Sequence, residues 1–155
     1  MKKERIAQYV HRELTDMSKS RIIEFCNMIG INKNIIDELH TTIIYTKKPM
    51  KKPTLNEDRQ FFTGVGTLRL WDVADGQLLL LELSDEYGTF KERNEYMVSL
   101  GGENNFPYKP HISLTYDVPI GFEDSEFIDK EFLFTLHYEG EKYEDKFEEW
   151  KPKKD

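Results

Sequence analysis

Two short stretches carry the residue types that acid–base chemistry needs. "LHTTIIYT" (39–46) holds His40 and Thr42, and "PHISLTYD" (110–117) holds His111 and Ser113. Each histidine opens an apolar run and is followed at i+2 by a hydroxyl. In a strand, residues i and i+2 project from one face. His40, Thr42, Ile44 and Thr46 would then share a face, as would His111, Ser113 and Thr115. Tyr45 and Tyr116 would point the other way, into the core. If the two strands lie near each other, two imidazoles and two hydroxyls converge on one cleft. Imidazole serves as general acid or base near neutral pH, each proton transfer contributing on the order of 10²–10⁴ in rate. Hydroxyls can donate to the phosphate oxygens that carry transition-state charge. The set suits phosphoryl transfer at a phosphodiester with a neighbouring ribose hydroxyl, without a metal.

Ser and Thr fill 16 of 155 positions. Two such pairs among four histidines arise by chance about once in twenty, before an apolar strand context is also demanded. His11 and His137 lack the pattern and read as structural or surface residues. A metal site built on the two histidines has little support, because Cys26 is the only cysteine and neither strand offers closely spaced carboxylate ligands. We therefore expect no metal and no cofactor.

The elements around these strands form one plan across a single domain, 1–155. Ile6, Val10 and Leu14 at i, i+4 spacing predict a short helix over 4–14. Ser18 is the expected N-cap of a second helix running to Ile29 and stopped by Gly30. Two strands around Asp75-Gly76 predict a hairpin. A further helix is expected over 85–102, ending at Gly101-Gly102, and "KEFLFTLHYEGE" is a last strand. The segment 47–60, with two prolines and four lysines in its first half, reads as an exposed loop. The order of helix, histidine strand and further strands occurs twice, so the expected class is α+β with mostly antiparallel sheet and pseudo-twofold symmetry.

The charge balance, 22 basic against 29 acidic residues, gives −7 and argues against long nucleic acid as a partner. No apolar run reaches the ~20 residues that span a bilayer, and the start lacks a signal-peptide core. A cytoplasmic protein is expected.

The pair H-T-T-I and H-I-S-L resembles the two H-x-T/S motifs of the 2H phosphoesterase superfamily. That resemblance implies a bilobal fold with helices on the outer faces, and metal-free cleavage of cyclic or 2′-5′-linked phosphodiesters by His40, Thr42, His111 and Ser113. The compact size, the N-terminal Tyr9 and the "LWDV" hairpin with Trp71 look most like phage anti-CBASS nucleases. That likeness implies cyclic di- or trinucleotide substrates and action in the host cytoplasm.

On this reading Tyr9 and Trp71 stack on bases and Lys109 approaches a phosphate. Glu141 accepts from a base amino group, and Trp150 anchors the charged tail near the ligand. The alternatives are a 2′-5′ RNA ligase-like or 2′,3′-cyclic phosphate phosphodiesterase, or a binder that sequesters a cyclic nucleotide intact. Base preference, ring size and oligomeric state are not legible in the sequence.

Overall fold

A computed structural model describes residues 7–74 and 76–145. Six strands make one closed antiparallel barrel. In chain order they are β1 (Gln8–Leu14), β2 (His40–Thr46), β3 (Gln60–Val73), β4 (Gly76–Leu83), β5 (His111–Thr115) and β6 (Glu131–Asp145). Around the barrel the order is β1, β2, β5, β4, β3, β6, with β6 closing on β1. The helices are α1 (Asp16–Met28) and α2 (Thr89–Ser99). The α+β class and antiparallel pairing match the expectation. The expected division into two lobes does not emerge in the sheet, because all six strands share one ladder sequence.

The helix expected over 4–14 is a strand from Gln8 onward. Val10 and Leu14 fit both a helical i, i+4 stripe and a strand's alternation. Arg12 lies between them on the same inward face and is fully buried. A charged residue on a core face hides the two-residue period, since an arginine is normally assigned to solvent. Its burial is offset by Nη1 donating to the carbonyls of Asp58 (2.8 Å) and Glu139 (2.9 Å).

Thr15 rather than Ser18 caps α1. The Thr15 hydroxyl accepts from Ser18 N at 3.4 Å, while the buried Ser18 hydroxyl accepts from His137 N at 2.8 Å. The helix packs Phe25 against Phe132 and Phe134 of β6 and ends at Gly30, whose φ of +89° needs a residue without Cβ. Before α2, the Asp85 carboxylate accepts from the amides of Phe90 and Lys91 (3.2 and 3.0 Å), which otherwise lack helical partners.

Both histidine strands carry a β-bulge at the same place. Between β1 and β2 the register steps from Val10↔Ile44 to His11↔Thr42, leaving Ile43 unpaired. Between β4 and β5 it steps from Leu79↔Thr115 to Leu80↔Ser113, leaving Leu114 unpaired. An extra residue reverses the alternation beyond it. Hence Ile43 and Ile44 are both buried, as are Leu114 and Thr115. Each unpaired residue's carbonyl finds a partner off the ladder: Asn94 Nδ2 of α2 donates to Ile43 O, and Ile36 N donates to Leu114 O, both at 2.8 Å.

Candidate active site

β2 and β5 are neighbours in the barrel, joined by the pair Thr41↔Ile112. Thr41 and Ile112 point inward, fully buried. His40, Thr42, His111 and Ser113 therefore point outward together. All four line a single cleft of about 710 Å³.

The two rings are oriented by the same local device. Each Nδ1 lies within hydrogen-bond distance of the carbonyl two residues earlier, Glu38 O for His40 (2.7 Å) and Lys109 O for His111 (2.9 Å). A carbonyl only accepts, so Nδ1 carries the proton in both rings and the neutral form keeps its lone pair on Nε2. Tyr9 donates its hydroxyl to His40 Nε2 at 2.6 Å, and Thr42 Oγ1 lies 3.4 Å from the same phenol oxygen. Trp71 meets His111 edge to face, with ring centroids 4.8 Å apart. The backbone between the motifs is tied by Tyr108, which donates to Thr42 O at 2.7 Å.

Burial holds the His111 pKa below the ordinary histidine value, and the nearby His40 pushes the same way against the Lys109 carbonyl. Burial likewise raises the Tyr9 phenol, so its proton is retained and available to donate. His11 is a third imidazole here. It stacks on Tyr9 with centroids 4.5 Å apart and lies 5.3 Å from His40, and burial together with His40 lowers its pKa.

Two side cavities flank the cleft. One of about 420 Å³ lies on the His40 side, with Glu13, Glu38, Glu144 and Lys142 on its walls. The other, about 630 Å³ and more apolar, lies on the His111 side beside Tyr45, Trp71, Phe106 and Tyr108. Among the described residues no three His, Cys, Asp or Glu side chains are grouped to hold a metal ion. No helix among them is long and apolar enough to cross a membrane.

Comparison with known proteins gives the family. The family model for anti-CBASS protein Acb1 matches residues 7–153, nearly the whole chain. The chain belongs to the Acb1 family. The anti-CBASS protein Acb1 of Enterobacteria phage T4 is 34% identical over 118 residues, which cover 74% of this chain and 75% of that protein. The Acb1 protein of Salmonella phage S16 is 35% identical over 83 residues, about half of each chain (52% and 52%).

Of the ligand contacts expected for this Acb1-family chain, Tyr9, Trp71 and Lys109 stand at the cleft or its side cavity. Glu141 does not. Its carboxylate is buried and gripped by Arg93 through Nε and Nη2, each at 2.7 Å, with Asn56 N at 3.0 Å and Arg12 Nη2 at 3.9 Å. It ties the 47–59 segment to the barrel rather than facing ligand. Trp150 lies outside the described residues. No residue of 47–59 lines the cleft or its two side cavities.

Tyr45 and Tyr116 also depart from expectation. Both are on the histidine face, 41% and 62% exposed, and both line the cleft. Simple alternation put them in the core, and the bulges at Ile43 and Leu114 bring them out. Their identical offset, five residues after each histidine, was the signal in the sequence. His11 had no comparable signal, because its place beside Tyr9 depends on β1 being a strand.

Proposed function

We propose that this chain is a metal-independent phosphodiesterase of the 2H type that opens 3′,5′-linked cyclic di- or trinucleotides, and that it serves a phage against the CBASS defence of its host. The observation that carries this reading is the pair of Nδ1-anchored imidazoles whose Nε2 edges share one cleft with two hydroxyls. Membership of the Acb1 family supports the substrate class.

In the proposed reaction His111 is the base. Its lowered pKa keeps Nε2 unprotonated, so it can take the proton of a ribose 2′-hydroxyl as that oxygen attacks the adjacent phosphorus. His40 is the acid. From the opposite side of the phosphate it delivers a proton to the departing 5′-oxygen. The P–O5′ bond breaks as the P–O2′ bond forms, which leaves a linear nucleotide ending in a 2′,3′-cyclic phosphate. Thr42 and Ser113 donate to the non-bridging oxygens through charge-assisted hydrogen bonds. With the ring neutral, Tyr9 donates to His40 Nε2; once the ring is protonated the Nε2–H donates instead, to the Tyr9 oxygen and then to the departing 5′-oxygen.

The test is incubation of wild type and His40→Ala/His111→Ala with a panel of cyclic di- and trinucleotides in excess chelator, resolved by chromatography. Cleavage is expected for wild type only, and a substrate lacking the attacking 2′-hydroxyl should stay intact. Turnover of that deoxy analogue at an undiminished rate would refute the mechanism. Tight binding without turnover would replace the enzyme by a sequestering protein.

A further inference from the structure

The two motifs are longer than their histidines and hydroxyls. Each is a six-residue unit, His-x-Thr/Ser-x-x-Tyr, with a bulge at its fourth position. Residues four and five both face the core and are at most 1% exposed in either unit. The sixth is a tyrosine turned to the histidine side. A regular strand would bury these phenols and expose Ile44 and Thr115 instead. The bulges are secured from outside the ladder by Asn94 and by the Ile36 amide, so the exposure of two large rings is a built feature at both sites. Single exposed aromatic residues are ordinary on a protein surface. Two at matched offsets, both on one cleft, are not scattered singly.

We propose that Tyr45 and Tyr116 are substrate-binding residues, one for each nucleoside flanking the scissile phosphate. This rests on the cyclic-oligonucleotide reading above. A phosphodiester held between His40 and His111 has a nucleoside on either side, and the two units supply one phenol to each. Tyr45 reaches beyond the cleft into the apolar cavity that it shares with Trp71, whose volume of about 630 Å³ accommodates a purine base. Tyr116 lies on the cleft wall formed with Ile36 and Leu78. Base–aromatic stacking is tolerant of base identity, since every base presents a π-face. These two residues therefore contribute affinity and register, and the base preference arises elsewhere.

The experiment measures binding of 3′,5′-linked cyclic di-2′-deoxynucleotides, which lack the attacking hydroxyl, by calorimetry to wild type, Tyr45→Ala, Tyr116→Ala and the two Phe variants. Each Ala variant should bind about five- to a hundredfold more weakly, the range that the loss of one stacked base implies. Each Phe variant should stay within about twofold of wild type. With the ribonucleotide substrate, the Ala variants should raise KM more than they lower kcat. Thermal melts report that the variants are folded, as expected for side chains this exposed. Wild type that binds while both Ala variants bind equally well overturns this inference and leaves the functional reading standing. Wild type that binds neither the cyclic di-2′-deoxynucleotides nor the corresponding cyclic tri-2′-deoxynucleotides overturns both.

Discussion

Glu141→Gln separates a structural carboxylate from a ligand-reading one. The wild-type side chain is fully buried, as is that of Arg12, while Arg93 is 24% exposed. The substitution keeps the size and removes the charge. It also sets an amide NH₂ where Arg93 and the Asn56 amide both donate, so one donor must face another. Arg12 is then left buried with only the Asp58 and Glu139 carbonyls. Breaking a buried pair from one side costs about 3–5 kcal/mol. The partial exposure of Arg93 argues for the lower end, about 3 kcal/mol. For a chain of this length each kcal/mol shifts Tm by about 2–4 °C, so a fall of about 6–12 °C is expected. Thermal melts should be run beside steady-state kinetics on the best cyclic nucleotide, well below either transition, where KM should stay within about twofold of wild type. An unchanged Tm with KM raised tenfold would refute the reasoning and return Glu141 to the ligand.

Tyr9→Phe removes the 2.6 Å hydrogen bond to His40 while keeping the ring that stacks on His11. It should lower kcat severalfold with KM nearly unchanged, whereas Tyr9→Ala should raise KM as well, both read from initial rates. Stability should depend on pH through His111 and His11. Both have folded pKa values below the unfolded value of about 6.5, so between those values the unfolded chain holds protons that the native protein refuses. The native state therefore loses stability as pH falls from about 6.5, with no such loss above it. Urea midpoints should be lower at pH 5.5 than at 7.5, with a smaller difference in His111→Gln; an equal difference in that variant would remove His111 as a cause.

What the sequence made legible was set by periodicity. The strands at His40 and His111 and the hairpin between Gln60 and Leu83 show apolar runs bounded by turn residues, and they lie within a residue or two of expectation. α1 and α2 stand where their glycine stops imply, though α2 starts later because Asp85 caps it from outside. β1 failed for a physical reason: Arg12 faces the core against Glu141, and no single-strand pattern announces a charge whose partner lies 129 positions away. Tyr45 and Tyr116 failed because bulges are decided by pairing, not by the strand itself. Glu141 was misplaced by the same buried network that hid β1. The four motif residues needed none of these long-range facts, since i, i+2 spacing holds over the three residues before each bulge.

The seam between β2 and β5 is joined by a single residue pair, Thr41↔Ile112, although the two imidazoles sit directly on it. Their separation is thus fixed less by the bonds between their own strands than by β1 and β4, which grip each from the outer side, and by the long β3–β6 ladder that closes the ring opposite. The barrel works as a hoop. A substitution that loosens the far ladder would widen the gap between acid and base without touching either, so an alanine scan of β3 and β6 should find losses of activity at positions that no map of the cleft would flag.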